Sequence, residues 1–298
     1  MSINAPTVEG FFDAATHTIT YLVADPATGA AAVIDPVLDF DAASGRTSTA
    51  SLEQVLARIA ERGLTLERVL ETHAHADHLT AADHIRRATG AKVVIGARIT
   101  EVQALFAPRF EADDVTPDGR AFDRLVEEGD EISLGSLTIR VIHTPGHTPA
   151  DVSYLVEDAV FVGDTLFMPD YGTARADFPG GDAAQLHRSI RKLLALPPQT
   201  RMFVGHDYLP PGRETFRWET TVAAQRAGNV QAHEGVDEAA FVRMRTARDA
   251  TLAPPVLLLP SLQVNIRAGA LPPPSARGSL FLKIPLTVAT PRTVPPAD

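Results

Sequence analysis

Seven consecutive residues, Thr72-His73-Ala74-His75-Ala76-Asp77-His78, place three imidazoles and a carboxylate within six positions. They follow closely on the apolar pair Val69-Leu70. Imidazole nitrogen and carboxylate oxygen together make up the ligand set of zinc, iron and manganese. The chain holds ten histidines in 298 residues, so three in one short stretch is far denser than scatter would give. The competing interpretation is a polar surface turn with solvated histidines. No cysteine occurs, which excludes disulfides and thiolate ligands and leaves His, Asp and Glu to hold any metal.

Three other segments repeat one shape: an apolar run, a glycine, then a histidine or aspartate. They are Thr144-Pro145-Gly146-His147-Thr148, Gly163-Asp164-Thr165 and Gly205-His206-Asp207-Tyr208. Strand ends lie side by side in a sheet, so side chains delivered there can meet at one point on a rigid edge. The glycines permit close backbone approach or a positive φ. Four such segments, all presenting metal-ligand side chains, point to one centre built from His73, His75, Asp77, His78, His147, Asp164 and His206.

The elements that must carry these residues can be read in order. Residues 17–36 form a hairpin, with strands Ile19–Val23 and Ala31–Ile34 about a turn at Asp25-Pro26-Ala27-Thr28-Gly29. Ser51 and Gln54 have capping-box spacing, and Leu52, Val55, Leu56 and Ile59 follow at helical period before Gly63. Residues 80–89 read as a helix, Lys92–Gly96 as a buried strand, and the acidic 105–124 stretch as an inserted surface loop or lid. Ile132–Ile142 alternates about Gly135 as a hairpin, and Val152–Val156, Ala159–Val162 and Met202–Val204 read as strands. Residues 182–196 make a helix with Leu186, Ile190, Leu193 and Leu194 on one face, closed by Pro197-Pro198. Residues 213–250 read as two helical pieces. Ten of the 23 prolines fall after 253, so 271–298 is expected as a proline-rich extension whose last dozen residues are extended or disordered. Strands and helices interspersed with hairpins favour an αβ architecture with mixed sheets.

Composition narrows the partners. An apolar fraction of 45% and a charged fraction of 21% suit a soluble globular chain with a sizeable core. A net charge of -10 disfavours nucleic acid, which requires clustered Lys and Arg. No apolar run approaches the ~20 residues of a membrane span, and the first basic residue is Arg46, unlike a secretory or transit leader. The expectation is a cytoplasmic protein without a membrane partner.

With these motifs in order, the chain resembles the metallo-β-lactamase superfamily over about 15–270. The resemblance implies one domain over 1–270 with an αββα sandwich, two mixed β-sheets with outer helices and the metal at one edge. Within the superfamily it is similar to the persulfide dioxygenases, also called sulfur dioxygenases or ethylmalonic-encephalopathy-type proteins. That likeness rests on residues 72–78, on Thr-Ala-Arg-Ala-Asp-Phe at 173–178, on 205–208, and on Leu-Pro-Ser-Leu-Gln-Val-Asn-Ile-Arg-Ala-Gly at 259–269. Glyoxalase II shares the metal motifs but lacks the Arg-containing loop and this ending.

Two arrangements of the seven residues follow. The persulfide dioxygenase likeness implies one Fe(2+) per chain on His73, His147 and Asp164, a two-His, one-carboxylate face with positions open for a persulfide sulfur and O2. His75, Asp77, His78 and His206 would then support ligands and bound water. The implied reaction takes glutathione persulfide, or a similar small persulfide, with O2 and water to thiol and sulfite, as in sulfide detoxification. The alternative is a dinuclear Zn(2+) hydrolase of a glutathione thioester, with His73, His75 and His147 on one metal, Asp77, His78 and His206 on the other, and Asp164 between them. Arg175 is a candidate for a substrate carboxylate, its competing role being an ion pair with Asp177; Tyr208 is a candidate donor or a packing ring. His84, His187 and His233 read as helix-surface residues, His17 as a strand residue, and His143 as a supporting group near His147. The likeness leaves a homodimer open.

Overall fold

The computed structural model describes residues 5–288. The hairpin read from the sequence forms around Asp25: β1 (Thr7–Asp13) pairs with β2 (Thr18–Ala24), and β2 with β3 (Ala30–Ile34), all antiparallel. A small ribbon, β4 (Val37–Asp41) with β5 (Arg46–Ser48), leads into α1 (Ala50–Glu61). The capping box at Ser51 is corrected. Thr49 stands at the cap position, Ser51 lies inside the helix, and its hydroxyl donates to Asp39 Oδ1 at 2.6 Å. The β4 carboxylate competes for the hydroxyl that would otherwise cap the helix.

β6 (Thr65–Leu70) then enters parallel to β3, followed by β7 (Leu79–Thr80), α2 (Ala82–Thr89) and β8 (Lys92–Gly96). Beyond it come α3 (Ile99–Phe106), a short 3-10 turn at Pro108–Phe110, and β9 (Arg124–Val126), which closes the sheet in the order β1-β2-β3-β6-β8-β9. The stretch expected at 105–124 as a surface loop or lid is a surface loop: between Glu111 and Asp123 it carries no helix or strand, and most of its residues are exposed. Phe106, Phe110, Ala112 and Phe122 are buried in the core, and Arg267 holds Asp114. Spaced apolar residues anchor the segment despite its acidic composition.

The second sheet runs β10 (Glu131–Leu134), β11 (Leu137–His143), β12 (Val152–Val156), β13 (Ala159–Phe161), β14 (Arg201–Phe203) and β15 (Glu219–Thr221), neighbours in that order. α4 (Ala183–Leu194), α5 (Val222–Gly228), α6 (Glu238–Asp249) and α7 (Leu258–Asn265) complete the chain. α4 begins as expected, with Asp182 accepting from the Gln185 N–H at 2.8 Å.

Three apolar layers define the architecture. Ile19, Tyr21, Ile34, Ile139, Tyr154 and Phe161 pack between the two sheets. Leu52, Val55, Ile85 and Val102 bury helices on the outer face of the first sheet, and Leu186, Ile190, Leu193 and Phe241 do so on the second. The molecule is an αββα sandwich of two mixed sheets. α7 had no forecast in the proline-rich segment, yet Pro260 sits in its first turn, where a missing N–H costs nothing. Among the described residues no helix is long and apolar enough to cross a membrane.

Candidate metal centre

Four strand ends deliver the centre. β6 ends at Leu70 before the histidine cluster, β11 at His143 before His147, β13 at Phe161 before Asp164, and β14 at Phe203 before His206. The glycine at the last of these is required by close packing: a Cβ on Gly205 would stand 2.7 Å from Asp164 Oδ1. Gly163 adopts φ 49°, and a Cβ there would meet Thr72 Oγ1 at 2.6 Å.

The seven expected side chains converge, and six of them sort into two groups; His78 belongs to neither and packs its ring against His75, centroids 4.2 Å apart. His73, His147 and Asp164 bring one ligand atom each within 4.8 Å of one another, and so do His75, Asp77 and His206. Asp164 joins the two groups. Its Oδ2 lies 3.9 Å from His73 Nε2 and 3.7 Å from His147 Nε2, while its Oδ1 lies 3.3 Å from His206 Nε2. His206 Nε2 is also 3.2 Å from Asp77 Oδ2. His73 Nε2, His75 Nδ1, Asp77 Oδ2, His78 Nε2, Asp164 Oδ1 and His206 Nε2 are buried with no hydrogen-bond partner among the described residues. Six orphaned donor and acceptor atoms in one place would cost a folded protein heavily unless a cation satisfied them. The donor set is N and O only, and it fits a divalent metal.

The opposite ring nitrogens are held in place. His147 Nδ1 contacts the Arg175 carbonyl at 2.8 Å, His206 Nδ1 the His17 carbonyl at 3.2 Å, and His73 Nδ1 the Thr72 hydroxyl at 3.0 Å. Such partners fix ring orientation and leave Nε2 free for a ligand. Burial lowers the pKa of His73 and His75 well below the usual imidazole value, so both stay neutral, the form that binds metal. Burial pushes the Asp77 carboxyl up, but the His206 and His78 imidazoles outweigh it and hold the group well below the carboxylate range.

Four supporting residues had no role in the sequence reading. Asp35 accepts from the Thr72 N–H and hydroxyl, both at 2.8 Å, and lies 3.0 Å from His75 Nε2. Glu71 accepts from the Thr80 hydroxyl. Asp151 sits 3.6 Å from His73 Nδ1, its carboxyl raised by burial to about 7. Asn265 of α7 donates to the carbonyls of His75 and His78, both at 2.8 Å, and accepts from the Thr80 N–H, clamping the cluster across the chain. Asp35 carries the apolar-run-then-acid signal in Ile34-Asp35, and Asp151 lies three residues beyond the 144–148 segment, where it accepts from the Thr148 N–H and hydroxyl. Asn265 has no local signal, because its partners lie 187 and 190 residues away.

A cleft of about 150 Å³ opens onto Asp77, His147 and Asp164, lined by Phe167, Tyr171, Phe178, Tyr208, Leu252 and Pro255 with Arg175, Arg245 and Arg248. Tyr208 stacks on His206, centroids 5.4 Å apart, and burial beside Asp77 and Asp164 raises its hydroxyl pKa well above the ordinary value, so it remains a proton donor. Arg175 takes the other role weighed from the sequence. Its guanidinium makes two bonds to Asp177, at 2.6 and 2.8 Å, and a third to the Ala253 carbonyl, while its backbone carbonyl orients His147. Arg248 is exposed, with no ion pair among the described residues.

The remaining histidines divide. His187 is buried and bonds the Val236 carbonyl at 3.1 Å, so its surface assignment is corrected. His17 lies in the turn before β2 with φ 59° rather than in a strand. His143 contacts the Pro149 carbonyl, His84 is half-buried on α2, and His233 is exposed.

Known proteins match this geometry. The family model described as the metallo-beta-lactamase superfamily matches residues 16–206. A probable metallo-hydrolase of Burkholderia pseudomallei is 55% identical over 291 residues, covering 94% of this chain and 99% of that one. Glyoxylase B2 of Dictyostelium discoideum is 45% identical, covering 95% and 98%. The crystal structure of ETHE1 from Myxococcus xanthus superposes with a TM-score of 0.71 at 32% identity, covering 89% of this chain and all of that one.

Proposed function

The chain belongs to the metallo-beta-lactamase superfamily, and on that premise we propose that it is a persulfide dioxygenase using one iron(II). The observation that carries this reading is the grouping of His73, His147 and Asp164 as one three-ligand face at the foot of the cleft. The full-length likeness to ETHE1, of the persulfide dioxygenase type, supports it. Iron(II) on that face would supply open positions for a persulfide sulfur and O2.

The chain's own groups supply the rest. The Arg175 carbonyl holds His147 with Nε2 toward Asp164. Phe167, Phe178 and Leu252 narrow the cleft to a volume that takes the end of a thiol carrier rather than a whole tripeptide. Tyr208 presents a protonated hydroxyl beside Asp164, suited to hydrogen-bond a terminal sulfur or a developing sulfur oxyanion. Arg248 on the rim is the cation open to a carrier carboxylate, the task that Arg175, tied to Asp177, leaves unfilled. The overall change converts glutathione persulfide, O2 and water into glutathione and sulfite.

A second reading rests on a separate observation. His75, Asp77 and His206 form a further three-ligand group, and Asp164 faces both groups with different oxygens. A dinuclear zinc hydrolase of a glutathione thioester would use that geometry, in keeping with the similarity to glyoxylase B2. Metal analysis of protein purified without added metal, with O2 uptake on glutathione persulfide and hydrolysis of S-lactoylglutathione measured in parallel, separates the two. About one iron per chain with persulfide-dependent O2 uptake is expected; two zincs, no O2 uptake and thioester hydrolysis would overturn the proposal.

A further inference from the structure

Most hydrogen-bond donors that line the cleft above the metal centre are already engaged. Arg175 is tied to Asp177 and Arg245 to Asp249, while the Thr173 hydroxyl meets the Ala174 carbonyl at 3.2 Å and Gln231 Oε1 at 3.1 Å. Arg248 lies out on the exposed rim. Two hydroxyls are left facing the cleft, those of Tyr171 and Tyr208, and neither has a hydrogen-bond partner among the described residues. Their rings lie 5.1 Å apart, tilted by 32°. Phe167 meets both rings edge-on, 5.7 Å from each. Tyr171 has had no task until this point.

One guanidinium grips the residue before each tyrosine. Arg213, its side chain 6% exposed, bonds both oxygens of Asp207 and donates from Nε to Asp170 Oδ2 at 3.0 Å. Asp207 precedes Tyr208, and Asp170 precedes Tyr171. Buried Asp207 also accepts from the Arg217 N–H at 2.6 Å and the Leu209 N–H at 3.3 Å. Leu209, directly after Tyr208, holds a φ of 47°, a conformation that a leucine keeps only where its surroundings impose it. On the other side, the Tyr171 N–H closes a turn onto the Met168 carbonyl at 2.8 Å, and Gln231 Nε2 donates to the Tyr171 carbonyl at 3.3 Å. Ring packing alone is served by phenylalanine, as at Phe167 and Phe178. Two free hydroxyls on clamped loops point to a bound group.

We propose that Tyr171 and Tyr208 together bind the oxygens gained by the substrate sulfur, and that Arg213 is the positioning residue that sets their spacing. The assignment rests on the dioxygenase reading and names what its site holds late in turnover. Sulfite bears negative charge on its oxygens, and Asp77 and Asp164 line the same cleft, so the group needs donors close by. The inner arginines are already paired, which leaves the two phenols. Donors fixed in advance and aimed at a developing oxyanion act most strongly where water is excluded, and Phe167, Phe178, Leu252 and Pro255 exclude it here. The terminal sulfur of a persulfide carries no oxygen. The contact therefore forms only as oxidation proceeds, and the pair favours transition state and product over substrate.

Steady-state O2 uptake on glutathione persulfide and anaerobic calorimetric titration with sulfite, both on the metal-loaded full chain, test this. Tyr171→Phe should lower kcat about 100-fold, as loss of one oxyanion donor does, with KM little changed. Sulfite binding should weaken at least about 10-fold at unchanged metal content. Arg213→Lys keeps the charge but loses the two-pronged grip. It should lower kcat in the wild-type background and much less where Tyr171→Phe and Tyr208→Phe are already present, because nothing is left to position. A purely structural role would give equal losses in both backgrounds and would overturn the assignment of Arg213. Normal O2 uptake with unchanged kcat and sulfite affinity in Tyr171→Phe, or with a raised KM alone, would overturn the donor pair. A wild type that hydrolyses S-lactoylglutathione without O2 uptake would instead overturn the dioxygenase reading, and this proposal with it.

Discussion

Asp164 joins the two candidate ligand groups, because its two oxygens face different histidines. In the proposed enzyme His206 supports the iron site without binding the metal. Its replacement in His206→Ala should then keep close to one iron per chain while lowering metal affinity about 10- to 100-fold, as loss of a supporting partner does. Metal content after dialysis against graded chelator measures this; a loss of half the metal from a two-metal protein would favour the dinuclear arrangement. The residue scale also shows where a motif misleads. Arg175 lies in the loop that distinguishes the family likeness, but the side chain neutralises Asp177 and the backbone carbonyl aims His147. A sequence gives the identity of a side chain and hides the work of its carbonyl.

At the scale of elements, the 173–178 loop is held by α6. The Arg245 guanidinium, 1% exposed, bonds the Thr173 carbonyl at 3.2 Å and the Asp249 carboxylate at 2.8 Å, and Asp249 in turn accepts from the Ala176 N–H at 2.9 Å. Removing one member of a buried pair strands the other charge. Asp249→Ala should therefore destabilise the protein by about 3–5 kcal/mol in urea unfolding, and it should slow turnover by loosening the carbonyl that orients His147. Arg245→Met combined with Asp249→Leu should recover most of the stability while leaving turnover low; equal stability of the single and double variants would refute the account. Legibility among elements followed local signals. α4 was legible because Asp182, Gln185 and a clean apolar face agree, whereas α7 is masked by the prolines around it, and α3, two turns long with Ile99, Val102 and Phe106 buried at helical spacing, is too short for its period to stand out.

At the scale of the whole molecule, Asp25 ties the sheets together. In the β2–β3 turn it accepts from the Ser136 N–H at 2.6 Å and hydroxyl at 2.8 Å, and Ser136 belongs to the β10–β11 turn of the other sheet. Burial pushes the Asp25 carboxyl up, but the bonds from Ser136, Thr28 and Ala27 outweigh it and depress the pKa. The stabilisation from a depressed carboxyl is fully present above its unfolded value of about 3.9 and fades as the pH falls toward the folded one. Asp25→Asn should thus unfold at lower urea than the wild type at pH 7, and the gap should close below about pH 4. A gap independent of pH would show that the carboxylate charge is not what holds the turns.

The sequence by itself determined the candidate ligands, the strand ends that carry them and the superfamily, because these are local patterns: an apolar run, a permissive glycine, then an imidazole or carboxylate. Tertiary structure decided how the candidate ligands group, since that depends on distances among residues up to 133 positions apart in chain order, from His73 to His206. It alone brought Asn265 onto the histidine loop, paired Arg175 with Asp177, anchored the 105–124 segment through Phe106, Phe110 and Phe122, and left Phe281, Ile284 and Leu286 exposed. Residue types fix which chemistry is available at a position; only packing fixes which neighbours compete for it.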